Sequence, residues 1–335
     1  MVDFPKSFGW IGLGAMGLPM ALQLRKKIPH DRTLFIYDVD SRALERFLAD
    51  AASQNGEGIR ERIVVVQNAR EIAENAECVI TIVPEGVHVK QVFLTANTGI
   101  LAAKDLSGKL FIDCSTIDIA TSKTINEAIT SSYTTHPNHP NPPRFYDAPV
   151  SGGTAGASAA TLTIMLGCSP TSPDLPRLTH VLSTMGRHIY PTGGPSLGLA
   201  AKLSNNYLSG MIALATSEAM NVGMRLGLDP RVLQRCFSTS SGGSWVNDTV
   251  NPVPGVCPDA VTSRGQVVTD YGNHFQLQDN NAQVQLMKKD MTLAIEAAKQ
   301  VGAKLVLADA GLSAYSAASE DPRCRDRDSR VVYRW

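Results

Sequence analysis

The chain has 335 residues, with Lys plus Arg equal to Asp plus Glu at 31 each. That length accommodates two domains with sizeable cores, and the zero net charge gives no field that would favour nucleic acid or an anionic membrane. Cys78, Cys114, Cys168, Cys236, Cys257 and Cys324 form no CxxC pair, which argues against a zinc site or disulfide framework and for free thiols in a reducing compartment. The longest apolar run, residues 207–217, is far short of a bilayer span. Residues 1–8 are too short and polar for a signal peptide. The expected setting is cytoplasmic.

Residues 8–11 form a short apolar strand that runs straight into Gly12, Leu13, Gly14, Ala15, Met16 and Gly17. A helical pattern follows through Met20, Ala21 and Leu24, and residues 33–37 read as a second strand ending at Asp38. A GxGxxG run alone is a common turn. Between strand and helix, with an acid about 20 residues on, it predicts a dinucleotide site. Gly12 turns tightly, Gly14 lets the pyrophosphate approach the backbone, and Gly17 lets helix pack on strand. The helix N-terminus adds unpaired N–H groups and partial positive charge. Asp38 would accept from the adenosine ribose hydroxyls and repel a 2′-phosphate. Asp40 adds to that repulsion and Arg42 could soften it, so NAD is expected in preference to NADP. The other role open to Asp38 is N-cap of the helix from Ser41, which Asp40 or Ser41 could fill as well.

The alternation continues with short buried strands at residues 63–66, 78–83, 110–113 and 145–148, and two further strands at 162–166 and 188–190. This predicts a doubly wound α/β sheet with expanded loops at 51–62 and 135–144. His136 and His139 in the second loop have no acid or cysteine beside them, so no metal is expected. Strand ends carry ligand-facing residues in such sheets; here these include Val83, Pro84 and Thr116. Ser151, Gly152 and Gly153 offer adjacent backbone N–H groups and a hydroxyl suited to a carboxylate, or form an ordinary tight turn.

After residue 194 only helical patterns remain, at 196–224, 229–238 and 284–301. The expectation is a Rossmann-type domain over 1–194 and an all-helical domain over 195–335, joined by a long helix. The only charges in residues 196–224 are Lys202 and Glu218. An apolar helix is usually buried, and a lysine in it must lose its charge, find a carboxylate or face a polar cavity. Asn206, four residues on, projects from the same face. Alternatively Lys202 snorkels to the helix end and Asn206 caps a neighbouring loop.

Seven blocks in order carry a resemblance: GWIGLGAMGLPMA (9–21), IDCSTID (112–118), DAPVSGG (147–153), GLAAKLSNN (198–206), SEAMNVGMRLGLDP (217–230), NPVPGV (251–256) and LMKKDMTLA (286–294). Over nearly its whole length the chain resembles the β-hydroxyacid dehydrogenase family. NPVPGV and the preceding SSGGSW point to the branch that acts on 3-hydroxyisobutyrate. The resemblance implies that Lys202 is the general acid/base and Asn206 its partner, with Ser151, Gly152 and Gly153 on the substrate carboxylate. It implies cofactor contacts at Val83, Pro84, Thr116 and Lys289, and at His88, where relatives often carry asparagine. The implied reaction is NAD-dependent oxidation of a short 3-hydroxy acid to its semialdehyde, and the implied setting is mitochondrial if a presequence is missing from this chain, since eukaryotic relatives are mitochondrial. The long apolar helix and the helical domain suit a homodimer or homotetramer. A tartronate semialdehyde reductase or related reductase is the neighbouring alternative, and a silent NAD-binding scaffold one of another class. Departures from the pattern are Ala160, where relatives commonly have glycine, the long QLQDNNAQVQ stretch (276–285), and an arginine-rich tail.

Overall fold

The computed structural model describes residues 4–55, 62–134, 141–253, 255–257 and 283–324. The chain divides into two compact units, Met1–Lys202 and Leu203–Trp335.

In the first unit, β1 (Ser7–Ile11), α1 (Gly17–Lys27), β2 (Thr33–Tyr37), α2 (Ser41–Asn55), β3 (Ile63–Val65), α3 (Ala69–Asn75), β4 (Cys78–Thr81), α4 (Gly86–Leu94), β5 (Leu110–Asp113), α5 (Ile119–Thr134) and β6 (Arg144–Asp147) alternate along the chain. The six strands are parallel, in the order β3-β2-β1-β4-β5-β6. β4 and β5 are buried on both faces, as their unbroken apolar runs require under two helical layers. One layer closes over Trp10, Leu34, Phe47, Ile80 and Ile112. The other closes over Ile72, Val79 and Ile125, with Phe93 edge-on to Phe111 and Phe145. The strand order reverses between β1 and β4, where ligands bind in open sheets of this kind. The segment expected as a loop from residue 51 is helical to Asn55, and Arg144 already belongs to β6.

The two further strands do not extend this sheet. β7 (Val150–Ser151), β8 (Leu162–Leu166) and β9 (Gly186–Pro191) form a second sheet, with β7 antiparallel to β8, and α6 (Gly153–Ser158) and α7 (Leu175–Leu182) lie between them in sequence. Only Ala148 and Pro149 separate β6 from β7. A parallel neighbour needs a crossover of a dozen or more residues, and Pro149 has no N–H to continue the ladder.

α8 (Leu197–Arg225) carries the chain into the second unit, where α9 (Pro230–Ser238), α10 (Trp245–Thr249), α11 (Gln283–Gln300) and α12 (Ala308–Glu320) follow. Asp229 caps α9 through the N–H groups of Arg231 and Val232. Tyr315 is fully buried among Val284, Met291, Ala318 and Cys324, and its hydroxyl donates to the Gly210 carbonyl at 3.2 Å. α10 and α12 were not expected from the sequence. Nor is α8 buried all round: Leu208 and Val222 are each 58% exposed. No helix among the described residues is long and apolar enough to cross a membrane.

Candidate active site

The turn between β1 and α1 is built around what its glycines exclude. Gly12 has φ +97°, and a Cβ there would overlap the Ile82 carbonyl oxygen. A Cβ on Gly17 would overlap the Gly12 carbonyl. Gly14 differs: a Cβ there meets nothing within 4 Å. Protein packing therefore requires glycine at 12 and 17, whereas the space over Gly14 lies open. Gly14 and Ala15 are exposed, Leu13 is buried and Met16 is half-buried. No side chain caps the start of α1 and no acid lies in its first turn, so its N-terminus suits an anion.

Asp38 stands at the end of β2. Its Oδ2 accepts the Leu13 N–H at 2.5 Å and its Oδ1 the Asp40 N–H at 2.8 Å. The cap of α2 is Asp40, whose Oδ1 accepts the Arg42 N–H at 3.0 Å. Asp40 also pairs with the Arg42 guanidinium at 3.1 Å. Asp38 is thus tied to the glycine turn rather than to the helix. The open ground over Gly14, the uncapped α1 and an acid at the second strand end fit a dinucleotide.

A chain of polar groups joins the ends of β4 and β5. Asp113 Oδ1 accepts from Thr81 Oγ1 at 2.7 Å and from Ser115 Oγ at 2.6 Å, and Ser115 Oγ in turn accepts the Val83 N–H at 2.9 Å. This fixes Val83 against the turn at Gly12. Pro84 is exposed, Thr116 is half-buried, and His88 in the first turn of α4 holds a buried Nδ1 with no hydrogen-bond partner. Asp113 Oδ2 is also buried and unpartnered, and burial pushes this carboxyl up to about 6.

Ser151 ends β7, Gly152 (φ +132°) and Gly153 (φ +62°) turn the chain, and α6 follows. α6 closes with the Thr161 N–H on the Gly156 carbonyl and the Ala160 N–H on Ala157, which places Ala160 at φ +55°. That is the left-handed position where glycine usually ends a helix.

Lys202 lies on α8, 8% exposed, and therefore does not snorkel into solvent at the helix end. Asn206, one turn on, is equally buried. Its Nδ2 donates to Asp290 Oδ2 at 2.7 Å, and Lys289 Nζ lies 3.3 Å from Asp290 Oδ1. One carboxylate on α11 therefore holds both Asn206 and Lys289. The sequence placed Asp113, Ser115 and Asp147 at ligand-facing strand ends and Asp290 in a matching block, but assigned none of their side chains a partner. Asp290 stood in plain view inside LMKKDMTLA, but its partner is 84 residues away. His136, His139 and residues 276–282 fall outside the described residues, among which no cluster of His, Cys, Asp or Glu could hold a metal ion.

Residues 7–194 match the NAD-binding domain family of 6-phosphogluconate dehydrogenase, and residues 197–335 the NAD-binding family of NADP-dependent 3-hydroxyisobutyrate dehydrogenase. Human mitochondrial 3-hydroxyisobutyrate dehydrogenase is 36% identical over 89% of this chain and 77% of its own length. A Pseudomonas aeruginosa 3-hydroxyisobutyrate dehydrogenase is also 36% identical, over 89% of this chain and 87% of its own. The NAD-dependent L-serine dehydrogenase of the same organism is 34% identical over 92% and 91%. Among solved structures, Mycobacterium tuberculosis 3-hydroxyisobutyrate dehydrogenase with L-serine aligns over 98% of both chains, with TM-score 0.77 and 27% identity. The chain belongs to the β-hydroxyacid dehydrogenase family, as an NAD-dependent oxidoreductase acting on CH–OH whose relatives include 3-hydroxyisobutyrate dehydrogenases.

Proposed function

We propose that the protein oxidises 3-hydroxyisobutyrate, or a similarly short 3-hydroxy acid, to its semialdehyde, with Lys202 as general acid/base. The observation that carries this reading is the buried Lys202–Asn206 pair on one face of α8. When bound, NAD supplies the hydride acceptor and so carries the difficult chemistry. Lys202 takes the hydroxyl proton in oxidation and returns it in reduction. Asn206 donates through Nδ2 to Asp290 Oδ2, and its own Oδ1, which accepts from Asn205 Nδ2 at 3.3 Å, keeps a second lone pair for the hydroxyl or the lysine. Ser151, Gly152 and Gly153 hold the substrate carboxylate, which fixes the orientation of the reacting C–H bond. The glycine turn, Asp38, Val83, Pro84, His88, Thr116 and Lys289 are the proposed cofactor contacts.

L-Serine is the second candidate, favoured by the L-serine dehydrogenase relative. Both molecules carry a hydroxyl β to a carboxylate, on a hydroxymethyl group at C2, and differ in the other C2 substituent, a methyl against an ammonium. Initial rates with NAD and NADP on 3-hydroxyisobutyrate, L-serine and glycerate decide between them, with the highest kcat/KM expected for 3-hydroxyisobutyrate with NAD. Lys202→Ala is expected to lower kcat by about 10³-fold or more while NADH still binds. Turnover at the wild-type rate in that variant overturns the assignment.

The protein is also proposed to be a homodimer or homotetramer, because the second unit exposes Leu208, Val222, Leu226 and Trp245.

A further inference from the structure

α8 carries Lys202, and beside the local bond from the Leu197 N–H to the Gly194 carbonyl at 3.2 Å its first turn is held by groups far away in sequence. These come from 49 and 52 residues earlier in the chain: Asp147 Oδ1 accepts the Ser196 N–H at 2.7 Å, and Oδ2 accepts the Leu199 N–H at 2.8 Å. Asp147 is 1% exposed. Two glycines make room for its carboxylate, since a Cβ on Gly167 would overlap Oδ1 and one on Gly198 would lie 2.8 Å from Oδ2. Ser196 adopts φ +63°, a conformation that costs a residue with a Cβ, and its Oγ donates to Ser122 Oγ at 3.1 Å on α5. Asp147 is also the last residue of β6, which leads through Ala148, Pro149 and Val150 to Ser151. The same side chain thus ends the strand that feeds the proposed carboxylate loop and grips the turn just before Lys202.

We propose that Asp147 is a positioning residue for Lys202: with Ser122 on the other side of Ser196, it fixes the first turn of α8 at one place relative to the Ser151 loop. Burial pushes the Asp147 carboxyl up, against the backbone hydrogen bonds from Leu199 and Ser196. A buried acid and a strained serine are a costly way to start a helix when a local Ser or Asp would serve. The arrangement gains a fixed reference between lysine and substrate, and misplacement by about 1 Å there costs up to roughly a hundredfold in rate. The inference rests on the reading of Lys202 as general acid/base.

The test is steady-state kinetics on the full chain as Asp147→Asn, Ser196→Gly and the double variant. The substrate is whichever of 3-hydroxyisobutyrate and L-serine the wild type turns over faster. NADH affinity by fluorescence titration and a thermal midpoint accompany each variant. Asparagine keeps one acceptor and turns an N–H toward a helix N–H. Asp147→Asn is expected to lower kcat roughly 10- to 100-fold, with KM and NADH affinity within about twofold. Ser196→Gly relieves the φ strain, so the double variant is expected to regain its thermal midpoint but not its kcat. A kcat near wild type, a change in KM alone, or joint recovery of kcat and midpoint in the double variant overturns the proposal. Should Asp147→Asn not fold, Ser122→Ala carries the test: kcat about threefold lower with unchanged NADH affinity supports positioning, and unchanged kcat overturns it. Lys202→Ala run alongside keeps the two readings apart. An inactive Lys202→Ala with a fully active Asp147→Asn sinks the positioning role alone, whereas an active Lys202→Ala sinks the reading beneath it.

Discussion

Asp113 shows how a single side chain can hold a site and burden the fold at once. Its Oδ1 bonds Thr81 and Ser115, while Oδ2 is buried without a partner and Asp147 lies opposite on the neighbouring strand. Desolvation is the main cause of its carboxyl rising to about 6, with the Asp147 charge adding to it. An unfolded aspartate titrates near 3.9, so between about pH 4 and 6 the native state keeps a proton that the unfolded state has released. This contribution to stability is fully present below about pH 4 and is lost as pH rises through 6, at most roughly 3 kcal/mol. Asp113→Asn keeps the Oδ1 acceptor and removes the titration. The stability of that variant minus that of wild type is expected to increase by up to roughly 3 kcal/mol between pH 4 and 7, read from urea unfolding at each pH. A difference that stays flat across this range contradicts the burial argument. The sequence placed Asp113 at a strand end but could not show that only one of its oxygens finds a partner.

At the scale of elements, turn chemistry was the most legible signal, because a glycine's reason for being there is local. The structure separates two reasons that the GxGxxG pattern merges. Gly12→Ala drives a Cβ into the Ile82 carbonyl at φ +97° and is expected to cost about 3 kcal/mol or more in chemical denaturation. Gly14→Val enters open space, so its stability should stay within about 0.5 kcal/mol of wild type. NADH titration of that variant should nevertheless show affinity at least tenfold weaker, about 1.4 kcal/mol. Ala160 is the converse, a Cβ where the Schellman turn asks for none, and Ala160→Gly is expected to gain about 1 kcal/mol, measured the same way. The elements missed were those with weak side-chain signals. α12 buries Ala308, Gly311, Ala314, Tyr315 and Ala318 at helical spacing, but its small residues contribute little hydrophobic contrast. β7 is two residues long, and its pairing with β8 is a long-range choice.

For the whole molecule, the decisive quantity is the apolar surface that a single chain leaves bare. In the helical unit Leu226 is 78% and Trp245 66% exposed, and Val222 on α8 is 58% exposed. Sedimentation is expected to give a dimer or tetramer, and Val222→Glu with Leu226→Glu to shift the protein toward monomer. A monomeric wild type would refute the assembly.

The sequence by itself determined the glycine-turned strand–turn–helix at the start of the sheet, the switch to helices after residue 194, and the placing of Lys202 and Asn206 on one helical face. Each follows from residue type and spacing over a few turns of chain. Only the tertiary structure decided that residues 150–191 build a second sheet, that Asp38 engages the glycine turn while Asp40 caps α2, and that Asp147 and Asp290 grip α8. Which donors a buried carboxylate meets is set by how distant segments pack, and the period of a helix or strand carries no record of that.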